Sequence, residues 1–222
     1  MLNPAKFSNR MPLYADKIYA KVPLLQNVWG FIDGTLRKTC HPSYFFRTMY
    51  SGHKHCHGLK FQTVCTPDGY IACMFGPING NHHDSFMLEN SGLIAQLQEL
   101  FPLPDGAIYQ LYGDPAYLQS HLLMGGFCHA WPRDSSGMVE HFDVKGERNC
   151  GVWGNAGIIV QWQFHPVWKK KLFPVAKFYV IGAFLCNAWT CFYGNQTSVY
   201  FGCDPLSLAK FLGLIDPSLN LE

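Results

Sequence analysis

Residues 13–26 (LYADKIYAKVPLLQ) space their apolar positions as a helix does and stop near Pro23, which predicts a short opening helix. VWGFIDGT follows, an apolar run closing on Asp33-Gly34. An apolar run bounded by a turn signal predicts a buried strand. Residues 36–57 are polar, rich in His and Cys, and predict a loop. LKFQTVCT (59–66) alternates as a strand, Pro67-Asp68-Gly69 has turn chemistry, and YIACMFG (70–76) is a further strand, so this stretch predicts a hairpin. GPINGNHHD (76–84) predicts a loop, and SFMLENSGLIAQLQEL (85–100) one helix with Asp84 at its N-cap. AIYQLYGD (107–114) predicts another strand, again closing on Gly-Asp. Residues 118–150 are irregular, 152–163 form an amphipathic or strand-like run, 173–193 predict an apolar helix, and 207–214 a short terminal helix.

Three strands in a meander, then a crossover helix to a fourth strand, describe an α/β fold with a mixed sheet flanked by helices. The first and third strands run one way, and a right-handed crossover returns the fourth parallel to one of them. Their carboxyl ends share a rim, and that rim receives Asp33, the loop leading to Asp84, and Asp114. Ligands of open α/β sheets bind at such ends. Oxygen-only donors suit Mg²⁺ or Mn²⁺, and carboxylates holding two hard cations drive in-line phosphoryl displacement. Plainer readings compete: Asp-Gly after a strand is often only a turn, and Asp84 can be only a helix cap.

The chain has 222 residues, 48% of them hydrophobic and 14% charged, with a net charge of +2 and ten histidines. This bounds it to one large domain, or one with an elaboration, and excludes a disordered chain. The balance permits nucleic-acid binding without demanding it. Nine cysteines form no C-x-x-C pair, and residues 1–20 carry Lys6, Arg10, Asp16 and Lys17 without an apolar core. Reduced thiols in an intracellular protein without a secretory leader are expected. The longest apolar stretch, Phe178 to Phe192, is broken by Gly182 and Asn187. It is short for a bilayer and predicts a core helix, with no membrane association.

The ordered strings GFIDGT, YSGHKHCHGLKFQTVCTPDGYI, FGPINGNHHDSFMLENSGL and YGDPAY resemble the catalytic domain of PIF/Harbinger-type transposases, DDE superfamily endonucleases. FYVIGAFLCNAWTCFYGNQTSVYF and DPLSLAKFL resemble that family's closing helix and tail, so the likeness runs over roughly residues 11–214. It implies a ribonuclease-H-like fold, binding of Mg²⁺ or Mn²⁺, and cut-and-paste DNA cleavage and joining. The division it implies is a helical lead-in (1–28), a catalytic domain (29–214) and a tail (215–222). Asp33 matches the first family aspartate, Asp114 the one closing the fourth strand, and Asp84 a further one; all three are implied metal ligands, Asp33 and Asp114 catalytic.

The family's third acid, a Glu in R-x-x-V-E-W-x-F-G-x-I, departs here. The matching stretch is RNCGVWGNAGII, which puts Arg148, Trp153, Gly154 and Ile158 in place and Val152 at the Glu position. Glu147, Glu140 and Asp143 precede it. Loss of that acid implies impaired cleavage, or a catalytically inactive domesticated or relic module that still binds DNA or protein. No helix-turn-helix precedes the first strand, so a separate DNA-binding partner protein is expected. Self-association is left open, and a nuclear setting follows from the resemblance.

His53-Lys54-His55-Cys56-His57 is metal-like in composition, but no second ligand pair has zinc spacing. Lys54 and Arg148 are candidate DNA phosphate contacts. Lys60, Arg133 and Lys169-Lys170-Lys171 are further ones, the triplet competing with a solvated turn, and His83 is a candidate for the rim.

Overall fold

The computed structural model describes residues 3–44, 46–104, 106–117, 119–125 and 175–214. Arg133, Glu140, Asp143, Glu147, Arg148, Val152 and Lys169–Lys171 lie outside the described residues, as does the run 152–163.

A 3₁₀ segment (Pro4–Arg10) leads into α1 (Met11–Lys21). Met11, Tyr14, Ala15 and Ile18 are buried, the i, i+3, i+4, i+7 stripe that docks a helix on a core. A six-stranded sheet follows. Its strands are β1 (Val28–Lys38), β2 (Tyr50–Ser51), β3 (Cys56–Cys65), β4 (Ile71–Asn79), β5 (Gln110–Gly113) and β6 (Leu123–Gly125). The order across it is β4-β3-β1-β5-β6, with β2 paired to the start of β3. β3 is antiparallel to β1 and β4, whereas β5 is parallel to β1 and β6 to β5. The mixed α/β sheet expected from the sequence is therefore present, and its order is compatible with a ribonuclease-H-like fold. The remaining helices are α2 (Phe46–Met49), α3 (Asp84–Asn90), α4 (Leu93–Leu100), α5 (Val175–Tyr193), α6 (Gln196–Phe201) and α7 (Leu208–Leu212). No helix among the described residues is long and apolar enough to cross a membrane.

Several local expectations are corrected. β1 does not stop at Asp33-Gly34 but continues to Lys38, because β3 supplies partners from Thr63 opposite Asp33 to Gly58 opposite Lys38. Cross-strand pairing overrides the turn preference of Asp-Gly. Residues 36–57 are accordingly no plain loop, since they hold the end of β1, α2, β2 and the start of β3. The single helix expected over 85–100 is two, α3 and α4, divided at Ser91-Gly92, where Gly92 adopts φ +67°. β6 and α6 were not anticipated.

Core packing fixes the site's floor. Val28, Trp29, Phe31 and Ile32 of β1 are buried, and Phe31 stacks on Phe201 of α6 with ring centroids 5.8 Å apart. A second cluster joins Phe61, Cys65 and Ile71 to Tyr179, Ala183 and Cys186 of α5. Asn187 of α5 clips the Ile71 backbone, accepting its N–H at 2.8 Å and donating to its carbonyl at 2.9 Å. The β3–β4 turn carries a fully buried acid, Asp68, which accepts bonds from the hydroxyls of Tyr14 and Thr66 at 2.6 Å each. Arg10 lies 3.3 Å from the same carboxylate, tying the N-terminal segment to the hairpin. The seven cysteines among the described residues are free thiols.

Candidate active site

Asp33 lies mid-strand, level with the end of β5. The last parallel pair between β1 and β5 is Ile32 with Gly113, so Asp33 and Asp114 each stand one residue beyond it on adjoining strands. Side chains alternate along a strand. Phe31, Asp33 and Thr35 therefore share one face of β1, and Ile32, Gly34 and Leu36 the other. On β3, Thr63 pairs with Asp33, flanked on that face by Phe61 and Cys65. Phe61 packs on Tyr179 with centroids 4.4 Å apart, so α5 lies over the Asp33 face. Cys65 is buried there. Burial pushes its thiol up to about 12, and the charge of Asp33 adds to the effect.

Asp114 is held by a turn of its own making. Its Oδ1 accepts the Ala116 N–H at 2.8 Å, and its carbonyl accepts the Tyr117 N–H at 3.0 Å. Such side-chain-to-backbone closure is what Asp does in turns. It aims the Tyr117 ring back over Gly113, where a Cβ would stand 2.9 Å from both Tyr117 Cδ2 and Ile32 Cγ2.

Asp84 is the first residue of α3 rather than its cap: His83 is the N-cap and makes no side-chain cap bond. The carboxylate instead meets Lys60 of β3, with Nζ 3.0 Å from Oδ1. It rests against Gly34, on which a Cβ would lie 2.6 Å from Asp84 Oδ1. Asp84 thus sits on the Gly34 face of β1, opposite to that of Asp33. One buried group senses all three acids. Burial pushes the Tyr117 phenol far above its ordinary range, and the charges of Asp84, Asp33 and Asp114 push the same way. Asp33 and Asp114 thus stand level on adjoining strands with Asp84 on the other face of β1, and no group of three His, Cys, Asp or Glu among the described residues is set to hold a metal.

A family model described as DDE superfamily endonuclease matches residues 32–165. The chain belongs to this family. It is a transposase-derived endonuclease domain, and the matched stretch contains Asp33, Asp84 and Asp114. No curated protein and no solved structure matches it.

DDE superfamily endonucleases generally use divalent metals, and the donors of this endonuclease domain fit that chemistry in part. Asp33 and Asp114 offer hard oxygen ligands from adjoining strands, as Mg²⁺ or Mn²⁺ requires. Asp84 fits less well, because Lys60 neutralises it on the other face. The histidine cluster does not come together as a metal site among the described residues. Instead His57 packs on Tyr50 and His41, at 5.2 and 4.5 Å between centroids. Lys54 is exposed in the turn joining β2 to β3, and His83 is exposed beside α3. His82 stacks on Phe86 at 4.1 Å.

Sequence reading missed the roles of Lys60, Gly34 and Tyr117. Lys60 shares its face of β3 with Gln62, opposite Leu36 and Gly34, and strand alternation alone would have placed it there. Its partner lies 24 residues away and gives no local signal.

Proposed function

We propose that this endonuclease domain is of the PIF/Harbinger type and cuts and joins DNA strands at a site built on Asp33 and Asp114. The observation that carries the reading is their level placement on adjoining parallel strands, just past the Ile32–Gly113 pair. Asp33 is fixed by a strand paired on both sides up to that point, and Asp114 by its turn. Both carboxylates would hold Mg²⁺ or Mn²⁺. Bound metal supplies Lewis acidity, activating the attacking water or 3′-hydroxyl and stabilising the leaving oxygen. The chain's own part is positioning, which dominates phosphoryl transfer. Asp84 acts as a positioning residue, its pair with Lys60 locking α3 beneath Gly34. Lys54 and Arg148 belong to the proposal as phosphate contacts, and a nuclear setting goes with it.

Incubating the protein with labelled DNA and Mn²⁺, beside Asp33→Ala, tests the reading. Metal-dependent cleavage by the wild type and loss of about 100-fold or more in the variant is expected; equal cleavage by both sinks it. The second reading, a module that keeps the fold without cutting, is favoured by Val152 at the family's Glu position. A Val152→Glu variant that cuts where the wild type does not would select it.

A further inference from the structure

Charge is unevenly spread along the chain. Residues 34–67 contain five Lys and Arg and four His, with no Asp or Glu. The rest of the chain holds twelve Lys and Arg against all fifteen Asp and Glu. The fold concentrates this stretch further. β1 beyond Asp33, α2, β2 and the start of β3 meet at one end of the sheet: Lys38 pairs with Gly58, Tyr50 with His57, and Thr39 N–H donates to the His57 carbonyl at 2.9 Å.

Two of the five cations are turned to structural work. Arg37 donates to the Tyr179 hydroxyl at 2.9 Å, and Lys60 pairs with Asp84. Lys38, Arg47 and Lys54 are exposed, as are His41, His53 and His55. Aromatic rings stand among them: Tyr44 is 81% exposed, and Phe46 and Tyr50 are also exposed. The Arg47 guanidinium lies 5.7 Å from the Phe46 ring centroid. Exposed cations interleaved with exposed rings are the chemistry of a nucleic-acid strand, whose phosphates take the charges and whose unpaired bases take the rings.

We infer that this basic arm docks DNA flanking the cut, a reading that rests on the proposed Asp33–Asp114 site. On β1, alternation puts Lys38 on the Gly34 face, five residues beyond Asp33 and about 16 Å away at ~3.3 Å each. That is roughly five nucleotides of duplex strand at about 3.4 Å each. Arg47 and Lys54 would hold the phosphates there, with Tyr44 stacking on a base where the strand is unpaired.

Binding of a fluorescein-labelled oligonucleotide, single-stranded and duplex, by anisotropy in EDTA tests the arm apart from catalysis. The arm variant Arg47→Glu/Lys54→Glu should lose about tenfold or more in affinity. A surface control, Lys6→Glu/Lys210→Glu, should lose about twofold or less, with circular dichroism confirming that both fold. Tyr44→Ala should weaken the single strand about fivefold and the duplex little. Equal losses in arm and control variants overturn the proposal. So does a wild type that binds neither DNA, an outcome that would turn the surface toward an acidic protein. Binding through the arm with no cleavage in Mn²⁺ fails the proposed function and leaves the arm standing. Cleavage with an arm variant that binds like wild type does the reverse.

Discussion

Lys60 Nζ sits 3.0 Å from Asp84 Oδ1, and the same carboxylate fills the space a side chain on Gly34 would need. Glycine at 34 is thus a requirement of close approach, not of turn formation. Gly34→Ala should destabilise the fold by about 1–3 kcal/mol, the usual cost of overpacking. Urea unfolding measures it. Repeating the substitution in an Asp84→Ala background removes the obstructing atoms, so the cost should shrink; strictly additive effects would separate the two residues.

Asp68 was legible only as a turn residue, yet it is fully buried with Tyr14, Thr66 and Arg10 around it. Asp68→Ala strands those donors and should cost about 3–5 kcal/mol. Burial holds the carboxyl above its ordinary value of 3.8, although Thr66, Tyr14 and Arg10 all pull it down. The folded state therefore binds this proton more readily than the unfolded chain. The stabilisation is full below the unfolded value and lost as pH rises through the folded one. Compared with Asp68→Asn, the wild type should gain stability as pH falls from neutral toward about 4. Urea midpoints across that range check the sign, and the opposite trend would mean the Arg10 pair outweighs burial.

Asn187 interrupts an apolar run, and its two bonds to Ile71 explain why a polar group is kept there. Asn187→Leu keeps the bulk but leaves the buried Ile71 N–H and carbonyl without these partners. A loss of about 2–4 kcal/mol is expected, since stranded buried groups carry their full desolvation cost. Thermal melting measures it. Faster hydrogen exchange at Ile71 should accompany the loss, because α5 is held to the edge strand β4 at that point.

The fold was legible where local pattern and tertiary pairing agree. The 59–76 hairpin and the apolar helix near 173–193 have strong periodicity or turn chemistry, and both stand in the structure. It was illegible where a distant partner decides. Asp33-Gly34 has the composition of a turn, but β3 pairs straight across it. β6 spans only three residues, too few to show alternation. The apolar spacing of 85–100 runs through Ser91-Gly92 as one helix would, and the positive φ of Gly92 divides it. At the site, Asp114 follows the end of its strand as the sequence indicates, whereas Asp33 stands mid-strand and the Lys60 partner of Asp84 depends on a contact that no spacing rule reveals.

Tyr117 offers the sharpest test of the site's interior. Its ring is buried against Gly113, and its hydroxyl is buried with no hydrogen-bond partner among the described residues. Removing an unbonded buried hydroxyl costs little and relieves desolvation. Tyr117→Phe should therefore leave stability unchanged or raise it by up to about 1 kcal/mol, read from urea unfolding. Because no hydrogen bond ties the hydroxyl to Asp33, Asp84 or Asp114, cleavage in Mn²⁺ and DNA binding in EDTA should both be retained. A loss of stability beyond about 2 kcal/mol would instead show that the hydroxyl is bonded in the folded protein. The separation matters because all three acids act on this one phenol. A change there reports on the electrostatics of the site while Asp33, Asp84 and Asp114 all remain in place.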